Sequence, residues 1–365
     1  MKKKVIGCLF MLMMCVMFSG CSDKKEDETD AIIPLETPMS EEPLAEDTLS
    51  AEPAVTKEET HEGEVRSRLT GEWIKEELAK KRPYAVMINN IQAASPQSGT
   101  SQASILYEAV VEGGITRLMG IFEDFDSERI GSVRSARHYF VSFADEYDAI
   151  FCHYGQTKYA TAKIKELGVD NLSGLSGIGS TVFYRVSGIK APHNAFASYN
   201  GILKGTKTLG YRTTLRKNVN TFQFYNKETK PKGDSAAKVT LGFSNYTSPY
   251  FKYNKKKAQY YRYQFGKKHV DKATGETLVF KNLIIQVVDE WNIDKNGYQT
   301  MDIENSSGDG YYITDGKVEK ITWKKNESKK SRAYYDSSGE ELKLNVGKTY
   351  IAIYPKNRLS YLDFE

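Results

Sequence analysis

Apolar and polar positions along this chain fall into two textures. Up to about residue 224, short apolar runs interleave with stretches of helical spacing. Tyr84-Ala85-Val86-Met87-Ile88 is an unbroken apolar run, as expected of a strand buried on both faces, and Asn89-Asn90 closes it. Ile105 to Val111 and Ile115 to Phe122 read as two strands joined at Glu112-Gly113-Gly114. Glu108, Val110 and Glu112 are then expected on one face. Between Ser135 and Tyr147 the apolar positions Tyr139, Phe140, Phe143 and Tyr147 recur at three and four residues, which predicts an amphipathic helix. A strand is predicted over Ala149 to His153 and a helix over Thr157 to Leu167, closed by Gly168. A further helix is predicted over Asn194 to Leu203. The Ser/Gly-rich segment Asn171 to Ser180 is expected to be an irregular loop. Beyond Phe224 almost every apolar run reads as a strand, from Val239–Phe243 to Thr349–Tyr354, and Asp315-Gly316 marks a hairpin. The expected class is α/β, with an α/β unit over residues 67–224 followed by a mostly antiparallel β unit over 225–365.

The residues before that body carry an address. Three lysines precede the apolar run Val5 to Met17, and Phe18-Ser19-Gly20-Cys21 follows. A basic start, a short apolar core and small residues at the end describe a secretory signal over residues 1–20. Thirteen apolar residues are too few to span a ~30 Å hydrocarbon layer. Cys21 after Ser-Gly resembles a lipobox cysteine, so acylation at Cys21 and anchoring on the extracytoplasmic face of the cell membrane are expected. Residues 21–66 form an acidic, aromatic-free linker with too little apolar surface to order itself.

Charge sharpens this division. Residues 22–64 hold 15 Asp/Glu against three Lys, whereas residues 65–365 carry a net charge of +13. A basic body on an acidic tether points to an anionic lipid or wall polymer, or simply to a Lys-rich soluble surface. With Cys8 and Cys15 in the leader and Cys21 acylated, Cys152 is left alone in an apolar run and is expected to be a buried small hydrophobe.

The strongest candidate chemistry lies in Gly131-Ser132-Val133-Arg134-Ser135-Ala136-Arg137. Two arginines at the start of the expected helix oppose its dipole, an arrangement compatible with a bound anion. Salt bridges to Glu108, Glu112 or Asp148 are the structural alternative. His153 at a strand end and His193 in Ala191-Pro192-His193-Asn194 are candidate acid–base groups. No two-histidine helical spacing or Cys/His cluster suggests a metal, and no nucleophile elbow or phosphate-loop lysine is present. The Lys/Tyr interleaving over Lys252 to His269 fits an edge-protected hairpin better than nucleic acid.

Taken together, Arg82 to Asn90, Pro96-Gln97-Ser98-Gly99, Tyr107-Glu108, Glu112 to Arg117, Gly131 to Arg137, Tyr147-Asp148-Ala149, His153 and Ala191 to Asn194 resemble the YerB-like lipoproteins of Gram-positive bacteria. Ser307-Gly308, Asp315-Gly316-Lys317, Thr322-Trp323-Lys324 and Asn345 to Thr349 extend the resemblance. It implies a two-part α/β lipoprotein of three-layer sandwich type, and it implies no reaction. The expectation is therefore a membrane-anchored lipoprotein that binds an anionic cell-wall polymer or phosphorylated glycan without a cofactor. Arg134 and Arg137 would grip the anion, with Arg117, Ser135, His153, His193 and Asn194 shaping the cleft. Two alternatives stand beside it. One is a hydrolase or transferase acting on wall material through His153 or His193, oriented by Glu108 or Glu112. The other is a scaffold whose Tyr-rich β unit docks a membrane protein.

Overall fold

The computed structural model describes residues 60–365 apart from 217–218, 220–221 and 327–330. The leader, Cys21 and most of the expected linker lie outside the described residues. In the first half, strands β1 (Tyr84–Asn89), β2 (Ile105–Val110), β3 (Thr116–Phe122), β4 (Ile150–His153) and β5 (Asn171–Ser173) alternate with helices α1 (His138–Glu146), α2 (Lys158–Leu167) and α3 (Tyr199–Thr208). The second half is built from strands β6 (Asp234–Ser235), β7 (Lys238–Leu241), β8 (Tyr250–Asn254), β9 (Gln259–Gln264), β10 (Lys267–Lys268) and β11 (Val279–Phe280). It continues through β12 (Asn282–Val288), β13 (Ser307–Thr314), β14 (Lys317–Asn326), β15 (Ser331–Tyr335), β16 (Thr349–Pro355) and β17 (Leu362–Phe364).

One mixed sheet of 11 strands runs through both halves, in the order β6-β14-β13-β12-β16-β2-β3-β1-β4-β5, with β15 added on β14. The join is β16 against β2. They run parallel, with Tyr350 opposite Leu106 and Ile351 opposite Tyr107. On its other side β16 runs parallel to β12. The strands in the middle of this sheet are buried at every position, which explains why their sequences are apolar without alternation. Successive residues nevertheless point to opposite faces. Ala85 and Met87 belong to the core on one side of the sheet, which also holds Tyr139, Phe140 and Phe143 of α1 and Trp323 of β14. Val86 and Ile88 belong to the core on the opposite side, with Val239, Phe251 and Tyr260 of a second, six-stranded sheet. That sheet has the order β10-β9-β8-β7-β17, with β11 on β9.

Local signals account for the element ends. Thr157 caps α2 by accepting the Ala160 amide at 3.1 Å, and Gly168 ends the helix in the left-handed region. Asp315 and Gly316 both have positive φ, the requirement of a tight hairpin between β13 and β14.

Three expectations are corrected. Residues 171–180 are not wholly irregular, because Asn171–Ser173 adds a short edge strand parallel to β4 and Gly179–Val182 forms a single helical turn. The helix expected over 194–203 starts later. Ala195–Ala197 is drawn into a small three-stranded sheet with Ile130–Gly131 and Phe183–Arg185, and Ser198 then caps α3 through the Gly201 amide. Glu112 does not share a strand face with Glu108, because β2 ends at Val110 and Glu112 lies in the turn that follows.

Among the described residues, no helix is long and apolar enough to cross a membrane. Cys152 is fully buried in β4, and burial pushes its thiol pKa upward.

Candidate anion site

The carboxyl ends of the parallel strands β1 and β4 are held apart by an inserted segment. The Asn89 amide donates to the Ser132 carbonyl at 2.8 Å, the Arg134 amide to the Met87 carbonyl at 3.1 Å, and the Tyr154 amide to the Arg134 carbonyl at 3.0 Å. Residues 132–136 therefore lie as extended backbone between the two strand ends. Gly131 makes the entry possible. Its φ is +140°, and a Cβ there would sit 2.6 Å from the Val133 amide nitrogen. The helix starts only at His138, with Arg137 as its N-cap residue. Arg134 thus belongs to the inserted segment and not to the first helical turn, which corrects the placement expected from sequence.

This segment brings three arginines together. Arg117 stands at the start of β3, directly across from Asn89 of β1, so the two side chains share a face. It is 6% exposed and donates to the Ser135 carbonyl. Arg137 makes a two-pronged ion pair with Glu112, its Nε 2.8 Å from each carboxylate oxygen and its Nη2 bonded to Oε2. Arg137 Nη1 also donates to the Ala136 carbonyl at 3.0 Å. Arg134 makes one long bond to the Pro192 carbonyl, at 3.5 Å, and its buried Nε has no partner. Among the described residues, neither Arg117 nor Arg134 has a salt bridge.

The electrostatics follow from this imbalance. Burial, then the charges of Arg137 and Arg134, push Arg117 down to about 9. Burial and Arg137 also lower Arg134. An arginine keeps its proton in a protein, so the consequence is an unrelieved positive field rather than a neutral side chain. Burial alone would raise the Glu112 carboxyl, but its bonds to Arg137 hold it below the usual range.

His193 joins the cluster because the small sheet carries its loop there, with the Val133 amide bonded to the Ala195 carbonyl at 2.7 Å. Its Nδ1 lies 2.9 Å from Asn89 Nδ2. Partial burial and neighbouring Arg134 lower its pKa, which favours the neutral ring.

The remaining candidates are placed as follows. Ser135 gives the cluster its carbonyl, while its hydroxyl donates to the Tyr154 carbonyl at 3.2 Å. Asn194 accepts from Arg185 at 2.6 Å. His153 is fully buried, with Nδ1 2.9 Å from the Gly155 carbonyl and Nε2 3.1 Å from Asn171 Oδ1, so neither ring nitrogen is open to a ligand. Glu108 points to the opposite face of the sheet. It bonds there to Arg262 at 2.7 Å and Tyr350 at 2.7 Å, and through its other oxygen to Asn90 and Thr116. Asp148 is taken by Arg212 and Arg216 and lies near Arg82. The sequence reading did not single out Asn89 as a site residue, nor the buried set of Arg262, His269 and Gln97. Their partners lie on distant segments, and no local spacing signals them.

Depressions of about 570 Å³, bordered by Asp309, Lys320 and Asp336, and about 530 Å³, bordered by Glu72, Glu123, Asp124 and Lys348, lie away from the arginines. Among the described residues, no three His, Cys, Asp or Glu side chains converge as metal ligands.

A mixed sheet threaded by both halves of the chain has a counterpart among solved structures. Residues 69–212 match the N-terminal domain, and residues 239–351 the C-terminal domain, of a family described as protein of unknown function DUF3048. The chain is 34% identical over 293 residues to a protein of Bacillus subtilis (strain 168) named "Putative lipoprotein YerB", covering 80% of this chain and 86% of that one. It is also similar to the crystal structure of the YerB protein from Bacillus subtilis. That match has a TM-score of 0.73 at 31% identity and covers 82% of this chain and 99% of the solved one. The chain belongs to this YerB-like, DUF3048 family.

Proposed function

We propose that this chain is an extracytoplasmic lipoprotein, anchored through acylated Cys21, that binds an anionic group of the cell envelope at Arg117, Arg134 and Arg137. The observation that carries the reading is the charge count of the cluster. Three guanidinium groups meet one carboxylate, and Arg117, more than nine-tenths buried, has no acidic partner among the described residues. A buried cation without a counter-charge is costly, and an incoming oxyanion supplies what is missing. Arginine forks suit phosphate in particular, which fits a phosphate-bearing wall polymer or phosphorylated glycan. The lipoprotein name of the Bacillus subtilis relative and the leader ending at Cys21 support the address. A three-layer arrangement, with α1 on one face of the central sheet and the second sheet on the other, belongs to the same reading.

The test is calorimetric titration of the full chain, in detergent micelles, with inorganic phosphate and then with phosphate-bearing wall polymer. Replacing Arg117→Met and Arg134→Gln together should weaken binding at least about tenfold while the fold is kept. Equal binding by the wild type and a folded double variant would remove the cluster from the function.

A further inference from the structure

His193 is the one histidine of the cluster, and what it does there depends on which ring nitrogen carries the proton. Its Nδ1 faces the side-chain amide of Asn89, 2.9 Å from Nδ2. The same Nδ2 lies 3.5 Å from Ser132 Oγ. An amide nitrogen is a donor only, so an NH2 group at hydrogen-bond distance from Nδ1 is matched when Nδ1 offers a lone pair. The neutral ring then carries its proton on Nε2, the nitrogen turned away from Asn89. The surroundings favour the same state, because Asn89 shares its face with Arg117 and the Pro192 carbonyl is bonded to Arg134. The positive charge of Arg134 beside it opposes a second proton on the ring.

We infer that Asn89 is a positioning residue that holds His193 as the Nε2–H tautomer, so that His193 donates a hydrogen bond to the oxyanion bound beside Arg134 and does not take a proton from it. The inference rests on the anion-binding reading and deepens it. A site whose only histidine presents N–H, beside three guanidinium groups that present nothing but N–H, has donors for an oxyanion, and its one carboxylate, Glu112, is held by Arg137. The ligand class is a fully ionised oxyanion such as a phosphate ester, bound and released intact.

Two experiments test this. In the full chain in micelles, selectively 15N-labelled at histidine, long-range 1H–15N correlation separates protonated from bare ring nitrogens, and His193→Gln assigns the signal. The expected result is a protonated Nε2 and a bare Nδ1, with Asn89→Asp moving a proton onto Nδ1. A wild-type ring protonated at Nδ1 would overturn the inference, whether or not phosphate binds. The second experiment is titration with inorganic phosphate. His193→Gln, which can donate but cannot act as a base, should stay within about threefold of wild type, while His193→Phe should lose about tenfold. Equal loss in both variants would also overturn it. If the wild-type tautomer is as expected but phosphate does not bind, the placement of Asn89 stands and the anion-binding reading fails.

Discussion

Glu108 and Arg262, 154 positions apart in sequence, meet at 2.7 Å as an ion pair with no solvent exposure on either side chain. Glu108 comes from β2 of the first half and Arg262 from β9 of the second sheet. The pair is embedded in further polar contacts. Arg262 also bonds to Gln264 and His269, and His269 Nε2 lies 2.6 Å from Gln97 Oε1. Asn90 reaches Glu108 at 2.9 Å, and Tyr350 donates to it at 2.7 Å. Removing one member leaves its partner as a buried, uncompensated charge. Arg262→Ala is therefore expected to destabilise the protein by about 3–5 kcal/mol in chemical denaturation, as is Glu108→Ala. A loss below about 1 kcal/mol would mean that water reaches the pair.

Glu112 is the only carboxylate bonded to the arginine cluster among the described residues. Glu112→Gln keeps the shape and removes one negative charge from the site. The expected outcome is tighter binding of inorganic phosphate, by several-fold at low salt, with a loss of stability from the broken ion pair. Opposite signs for affinity and stability are the diagnostic result, and they can be read from calorimetry and thermal melts of the same sample.

Acid should weaken the folded state through its histidines. Burial, with Lys163 beside it, pushes His138 down to about 4, and burial also lowers His153, His193 and His269. Between about pH 6.5 and 4 the unfolded chain binds protons at these positions that the native chain refuses. Stability must then fall as pH falls through that window. His138→Gln should flatten the dependence there and leave the slope above pH 7 unchanged. Melting temperatures measured across the window check this, and an unchanged slope in the variant would assign the effect elsewhere.

Cys152 sits in β4 with no exposed surface, and its thiol is held protonated by burial. A thiol-reactive probe should leave it unlabelled in the native protein and label it fully in denaturant, as read by mass spectrometry of the Cys152 peptide. Rapid native labelling would show that β4 and β5 open as a unit.

The parts of the fold legible in sequence were those fixed by local physics. The unbroken apolar run of β1, the apolar spacing of α1, Thr157 and Gly168 at the ends of α2, and Asp315-Gly316 each act over a few residues. Arg134, Arg137 and Arg117 could be named as candidates from residue type, but which of them would be neutralised could not. Arg137 found Glu112 because the turn after Val110 swings that carboxylate toward the start of α1. A histidine at a strand end is either an acid–base group or a hydrogen-bonded structural residue, and His153 is the latter because β5 closes it off through Asn171, a strand too short and polar to stand out in a Ser/Gly-rich segment. The Asn89–His193 contact spans 104 positions and depends on a three-stranded sheet whose members are two or three residues long. No periodicity carries information at that length.

The order of strands in the central sheet also sets a schedule. β16, residues 349–355 of a 365-residue chain, is the strand that parts β12 from β2. A growing chain displays β2 with one edge bare until residues 349–355 have been made. Contacts of such long range close slowly, and an open strand edge is an invitation to mispairing. The first half of this protein thus waits for a neighbour made more than two hundred residues later, and a chain cut before residue 349 loses the middle of its sheet rather than an end.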